Sequence, residues 1–476
     1  MKSMAKVRTI RWALLAIGMT VGAAAQNNSP SQPQTTPAPA FGQNAPLLNP
    51  ENPPVSGLDE PTLDLHTATR SFIAPALAVS ESADTNAGNQ LGGSGLASIT
   101  RVLGAFDLQQ FWPKTDLFLE YLGGGAYYSY PSGMKQLQAV GMEAVTRWRT
   151  GQMTVRDAFN YLPDGSFQVG VGGLPGYGLA TGGFGMVGQG GVLPGSLQWS
   201  NGGLGAIGNI PRIANTALLD AVQVISPVSA ITVAGGFSNA HFYDPTDTLI
   251  DSDQVTVEGG YSRLLGRHDQ IGAVYAFELF QFPQYSGGQI YIKIVNVRWS
   301  NTLSGRMNLV VGAGPEYTDL ELGGYYPHWS PSVRVQLNYK LGHGSLMASY
   351  DRYISPGAGL FLGATTQVAR FGYRRPLGRT WDFSGTLAYS HDSRLGIGQT
   401  SKGGLLGANA SSYNIGSATS VLRKHLGRTY DFVAMYTFGE TAFNVPVSIA
   451  GTTGRIGQRQ TGTIGVEWHP APTRIE

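Results

Sequence analysis

Two alternating runs joined by Leu377-Gly378-Arg379 constrain this chain more than any other feature. Before the tripeptide, Ala369, Phe371 and Tyr373 alternate with Arg370, Gly372 and Arg374. After it, Trp381, Phe383, Leu387 and Tyr389 alternate with Asp382, Ser384, Thr386 and Ser390. A period of two gives a strand one apolar and one polar face, and a short glycine-containing turn folds two such strands into a hairpin. The mark recurs at Leu265-Gly266-Arg267, Leu303-Ser304-Gly305-Arg306, Leu341-Gly342-His343 and Leu426-Gly427-Arg428. Each interval has room for two strands, one short turn and one longer loop. The array predicts an all-β fold, a large antiparallel up-and-down barrel.

Composition says what surrounds such a barrel. Glycine makes up 66 of the 476 residues, about twice the usual share. Charged residues are only 13%. Past the N-terminus, no apolar run is long enough for a transmembrane helix. A barrel that crosses a membrane with strands hides its lipid face in the alternation, so mean hydropathy stays near zero. A secreted β-sandwich or propeller is the alternative. A net charge of +2 gives no reason to expect a nucleic acid or other polyanionic partner. The chain has no cysteine, which excludes disulfides, thiolate metal sites and cysteine nucleophiles.

The chain divides as follows. Residues 1–25 read as a cleaved secretory signal. Lys2, Lys6, Arg8 and Arg11 precede a short apolar stretch, 13–21, and Ala23, Ala24 and Ala25 stand before Gln26. Residues 26–69 are rich in Pro and Gln and predict a disordered periplasmic lead. The barrel occupies 70–468, with about eighteen strands and sixteen as the alternative. The cleanest pattern sets Val333, Val335, Leu337 and Tyr339 against Arg334, Gln336, Asn338 and Lys340. The weakest are 71–83, 151–162, 213–226 and 411–425. An even count brings both ends to one side, so the Leu-Gly-Arg turns are expected to be periplasmic and the longer loops extracellular. One break interrupts the rhythm: 163–212 is Gly-rich and patternless, and would be the third extracellular loop. Loops of that length are commonly functional or disordered. Residues 469–476 form a C-terminal tail.

A signal sequence, an even array of hairpins, short inner turns and a long third outer loop together resemble the bacterial outer-membrane porins and the large uncharacterised outer-membrane barrel families. The resemblance covers 70–468 and is architectural. It implies passive diffusion of small hydrophilic solutes in contact with outer-membrane lipid, a homo-oligomer as the common assembly, no cofactor and no enzymatic activity. It also implies a third loop that folds into the lumen and narrows it. The tail after Trp468 departs from the terminal aromatic residue usual in these barrels.

Alternation assigns the candidate lumen residues. The basic ones are Arg147, Arg149, Arg298, Arg334, Lys340, Arg370, Arg374 and Arg459. The acidic ones are Glu120, Glu143, Glu258, Glu278, Glu316, Asp382 and Asp431. Opposed charges would set up a transverse field that orders water and polar solutes. Arg334, Lys340, Arg370 and Arg374 read as neighbours on adjacent strands, a basic patch that would favour anions or polar solutes. Tyr177, Phe184 and Trp199 are candidates to line a constriction in the long loop. Trp148, Trp299, Trp381, Tyr430 and Trp468 fall where an interfacial aromatic girdle belongs. Asp244, Asp247, Asp251 and Asp253 are a weak Ca²⁺ candidate, since their spacing is not that of an EF-hand; a solvated loop is the plainer reading, and no metal is expected. Gly183, Gly185 and Gly188 match a nucleotide-binding spacing but lack its strand and helix. His391, Asp392 and Ser393 hold triad residue types, which makes a barrel hydrolase a lesser alternative. A non-conducting barrel that binds a surface partner, or serves as a structural anchor, is the other.

Overall fold

The computed structural model describes residues 71–475 apart from 88–91, 93–94, 131, 163–210, 244–248, 267, 286–287, 305, 321–325, 358, 396–409, 450–451 and 471–472. The expected signal, lead and long loop therefore lie outside the described residues, apart from the loop's last positions. The described residues belong to one unit, Ala40–Glu476; the other unit, Met1–Pro39, lies wholly outside them.

Eighteen long strands follow in order: β1 (Phe72–Asp84), β2 (Ala97–Phe111), β3 (Thr115–Ser129), β4 (Ser132–Trp148), β5 (Gly151–Leu162), β6 (Arg212–Ser226), β7 (Ser229–Phe242), β8 (Ser252–Leu264), β9 (Asp269–Gln281), β10 (Gln289–Ser304), β11 (Met307–Leu320), β12 (Tyr326–Leu341), β13 (Gly344–Ser355), β14 (Ala364–Pro376), β15 (Trp381–Arg394), β16 (Ser412–His425), β17 (Tyr430–Ile449) and β18 (Thr452–Trp468). Each pairs antiparallel with its sequence neighbours, and β1 pairs with both β2 and β18. The sheet is thus a closed barrel without a free edge, as a wall in hydrocarbon must be. Beyond Trp468 the tail does not leave the wall. A two-residue strand, β19 (Thr473–Arg474), continues along β1, and Ile475 N–H donates to the Ser71 carbonyl at 3.0 Å.

The faces are inverted relative to a soluble protein. Val297 is 52% exposed while its neighbour Arg298 is 7% exposed. Val79 beside Ser80, Val233 beside Thr232 and Ile464 beside Thr463 repeat the contrast. Outward apolar and inward polar side chains are the pattern of a barrel wall between lipid and a polar interior.

The recurring turns close in one way. Leu265, Leu377 and Leu426 each donate a backbone N–H to the carbonyl four positions on, at Asp269, Trp381 and Tyr430. Gly378 and Gly427 take φ of 83° and 97°, a region where a side chain would clash with its own backbone. These turns lie at the barrel end that also holds the start of β1 and the end of β18. The longer connections lie at the other end.

Strand ends differ from the sequence reading mainly at the long-loop end. β4, β12 and β18 begin earlier, and β17 runs on to Ile449. About ten tilted residues suffice to cross the hydrocarbon. Past it both faces meet water, so the alternation fades while the backbone ladder persists. β17 also carries an irregularity between Ala442 and Val447.

One seam in the wall opens. The β12–β13 ladder stops at Val333↔Arg352, although both strands continue. β12 stays with β11, and β13 stays with β14. Alternation would put Ile354 outside, yet it is 1% exposed and packs with Phe280, Ile292 and Leu320 of the inner wall. The tip of the β13–β14 hairpin therefore bends into the barrel.

Candidate functional site

The bent tip and its loop fill part of the described interior. Among the described residues from Tyr353 to Ala364, every one is buried. Gly357, Gly359 and Gly363 hold φ of 85°, 81° and 83°. A Cβ on Gly363 would stand 2.5 Å from the tip of the Ile290 side chain, and the φ of 83° there strains any residue but glycine. Leu360, Phe361 and Leu362 point into two apolar clusters. Leu360 and Phe361 join Phe242 of β7 to Tyr413 of β16 and Phe443 of β17. β7 and β16 stand half the ring apart, so this cluster reaches from one wall to the opposite one. Phe361 and Tyr413 stack with ring centroids 5.4 Å apart. Leu362 packs against Phe280, Ile290 and Leu395. Backbone bonds fasten both flanks: Ile250 N–H donates to the Gly359 carbonyl at 2.9 Å, and Leu395 N–H to the Gly363 carbonyl at 3.2 Å. Burial of each large apolar side chain stabilises this seat by about 1.5–3 kcal/mol. Tyr285, in the β9–β10 connection, packs partly against the same cluster, and that burial pushes its phenol above the ordinary value.

Next to the tip lies a cavity of about 60 Å³. Its wall carries Glu258 of β8, Glu278 of β9, Asn296 and Arg298 of β10, Glu316 of β11, Arg334 of β12 and Asp351, Arg352 and Tyr353 of β13. Glu316 is fully buried and has a defined task. Its Oε1 accepts the Ile354 N–H at 3.1 Å, and its Oε2 accepts the Ser330 hydroxyl at 3.4 Å. It replaces the ladder partner that Ile354 lost at the seam. Arg334 Nε donates to Asp351 Oδ1 at 2.7 Å.

The structure places the other sequence candidates as follows. Arg147 pairs with Asp116 at 2.7 Å. Arg459 is fully buried and pairs with Asp84 at 2.6 Å across the β1–β18 closure. Glu143 is buried on β4. Asp382 and Asp431 share His425, at 2.9 and 2.8 Å. Arg370 and Arg374 lie on the inward-alternating positions of β14 and are half-buried. Arg149 is a correction: β4 ends at Trp148, so Arg149 falls in the turn and is exposed. Lys340 is likewise exposed beside the β12–β13 turn. The side chain of Glu120 lies outside the described residues. The expected basic patch is also corrected. Arg334 and Arg370 are not on adjacent strands, because β13 stands between them and brings Asp351 to Arg334.

At the short-turn end the aromatic candidates face outward. Trp148, Tyr430 and Trp468 are exposed, and Tyr430 is paired with Trp468 across the ladder. Trp299 Nε1 donates to Asp269 at 3.2 Å, and Lys424 Nζ stands 5.2 Å from the Trp381 ring.

Several candidates are not brought together. Asp251 is bound by His241 and by the Phe242 N–H, and Asp253 by Asn239. Asp244 and Asp247 lie outside the described residues, and among the described residues no acidic or histidine group could hold a metal. Asp392 accepts from Thr366 and Ser390 inside the barrel, while His391 turns to Asn414 and Ser393 to the Thr365 carbonyl. Consecutive strand residues face opposite ways, so they form no triad. Tyr177, Phe184 and Trp199 lie outside the described residues, as do Gly183, Gly185 and Gly188.

Sequence reasoning missed the inward loop and the acidic partners Asp84, Asp116 and Asp351. One signal was present: Leu360-Phe361-Leu362 is an apolar triplet inside an outer connection where a solvated loop would be polar.

No protein-family model matches the chain, and no curated protein matches it. Several solved structures are similar to it at low identity. A structure of OccK2 (OpdF) from Pseudomonas aeruginosa in complex with glucuronate is 8% identical, with 85% of this chain and 98% of that one covered and a TM-score of 0.40. The outer membrane protein OpdK from Pseudomonas aeruginosa is 10% identical, with coverages of 84% and 98% and a TM-score of 0.39. OccAB3 from Acinetobacter baumannii is 9% identical, with coverages of 84% and 99% and a TM-score of 0.40.

Proposed function

We propose that this chain is an outer-membrane diffusion channel for small hydrophilic solutes. One observation carries the reading: a closed eighteen-strand wall keeps apolar side chains outside and charged ones inside. A wall of that circumference is too wide for side chains alone to fill. The buried face then lines a solute path. Arg298, Arg334, Arg370, Arg374 and Arg459 stand on it with Glu143, Glu258, Glu278, Glu316, Asp382 and Asp431. The loop after β13 narrows the path, and loop 163–212 is proposed as a second constriction. The Trp148, Trp299, Trp381, Tyr430 and Trp468 belt marks the periplasmic interface. Refolded protein in planar bilayers should give stepwise conductance, and a folded protein that stays silent would overturn the reading.

The apolar cluster joining β7 to β16 favours a second reading, a barrel sealed at rest that presents its loops to a surface partner. Absence of conductance that is restored by removing the β13–β14 loop would support it.

A further inference from the structure

The seam beside the bent tip has a cause in the backbone of its two edges. β12 keeps one register against β11 and one against β13, with no shift in either. In an antiparallel sheet, successive residues turn their N–H and C=O to opposite neighbours. Lys340 N–H donates to the Arg306 carbonyl on the β11 side at 2.7 Å, so the odd positions of β12 face β13. The hydrogen-bonded rungs between β12 and β13 thus run from Leu341↔Gly344 to Val333↔Arg352 at every second residue. In the same register the next rung would set Pro331 against Ile354, and the one after it Trp329 against Pro356. Pro327 stands at the following odd position of β12.

Proline has no N–H to give, and its ring carbons fill the place where the facing carbonyl would approach. The ladder stops at the last rung that holds no proline. Beyond it the backbone groups are taken up elsewhere. Ile354 N–H goes to Glu316, and the Pro356 carbonyl accepts the Gly363 N–H within the loop at 3.3 Å. The nine paired positions below the stop are close to the length that crosses the hydrocarbon, about ten tilted residues. The parted edges then lie at the outer boundary, where water reaches backbone groups. Pro315, the β11 partner of Pro331, faces β10 instead, because the odd positions of β11 turn away from β12.

We propose that Pro331 and Pro356, with Pro327, are positioning residues of the constriction. They deny β12 and β13 their next rungs and so send the tip of the β13–β14 hairpin into the barrel. Without them the hairpin would stand upright as a continuation of the wall, as β17 and β18 do up to Ile449↔Thr452. The effect on conductance rests on the diffusion reading; the effect on the ladder does not.

The test restores the missing donors. The double variant Pro331→Thr, Pro356→Thr places strand-forming residues on both edges. In planar bilayers it should conduct severalfold more than the parent, and Pro315→Thr should match the parent. Hydrogen exchange at the Ile354 amide reads the ladder directly. Glu316→Ala should speed that exchange about tenfold or more, since the amide loses its acceptor. Adding Pro331→Thr and Pro356→Thr to Glu316→Ala should bring back the slow rate, because the carbonyl of residue 331 then comes within reach. A folded double variant that conducts as the parent does, or exchange that stays fast in the triple variant, overturns the proposal. If every protein is silent in bilayers while the slow rate returns, the diffusion reading falls and the assignment of the prolines stands.

Discussion

Glu316 accepts the backbone N–H of Ile354 at 3.1 Å, two strands away across the point where β13 parts from β12. A carboxylate inside a barrel wall thus stands in for a missing strand. It lets the hairpin tip turn inward without leaving a buried amide unpaired, which would otherwise oppose the bend.

Removing that acceptor should loosen the tip. Glu316→Ala leaves the Ile354 amide without its partner and should lower stability by about 1–3 kcal/mol. Glu316→Gln keeps a carbonyl oxygen in place and should cost less. Thermal unfolding followed by circular dichroism, with the two variants side by side, checks this. Equal stability of Glu316→Ala and the parent would contradict the assigned task.

The inward loop should set the bore. Replacing 357–362 with a short Gly-Ser turn removes Leu360, Phe361 and Leu362 from the lumen and should raise single-channel conductance. Gly363→Val should act in the same direction at a stability cost of about 1–3 kcal/mol, since φ is 83° there and a Cβ meets Ile290. Conductance identical to the parent in both would remove the constriction role.

The Asp84–Arg459 pair should hold the barrel closed. Both side chains are fully buried, and Thr461 Oγ1 also donates to Asp84 at 3.2 Å. Asp84→Ala strands a buried guanidinium and should cost about 3–5 kcal/mol. The double variant Asp84→Leu, Arg459→Met should recover much of that loss. A double-mutant cycle in urea reads the coupling, and purely additive effects would refute it.

The outer face should be intolerant of charge and the inner face tolerant. Val297→Arg places a cation against lipid and should cost about 2–4 kcal/mol. Ser417→Arg, on the inner face of β16, should fold with little loss. Folding into lipid vesicles, monitored by tryptophan fluorescence, distinguishes the two. Comparable losses in both would contradict the lipid-facing assignment.

The mature chain should begin at Gln26, because Ala23, Ala24 and Ala25 supply the small residues before the cleaved bond. Intact-mass measurement of protein exported to the envelope checks this; a mass that includes 1–25 would show an uncleaved anchor.

Much of the wall was legible in the sequence because its signal is local. Val297 and Arg298 differ in exposure for a reason visible in the residues themselves, and Leu377-Gly378-Arg379 carries the left-handed glycine its turn needs. The bounds of β3 and β7 follow from the same alternation. Arg149 and Lys340 were misplaced at strand ends, where alternation stops carrying information. The charged candidates of β8 to β12 were legible as one face, but their partners were not. Asp351 reaches Arg334 only through the register of β12 on β13.

By itself, then, the sequence determined a membrane-type antiparallel barrel of about eighteen strands and, within the regular strands, the side of the wall on which most residues stand. Period-two chemistry in each strand is enough for that. Only the tertiary structure decided what fills the interior. The inward tip depends on Glu316 meeting Ile354, on Phe361 meeting Tyr413 and on β7 facing β16 across the ring. Those contacts join residues distant in sequence, and the cluster that reaches from β7 to β16 needs both sides of the lumen.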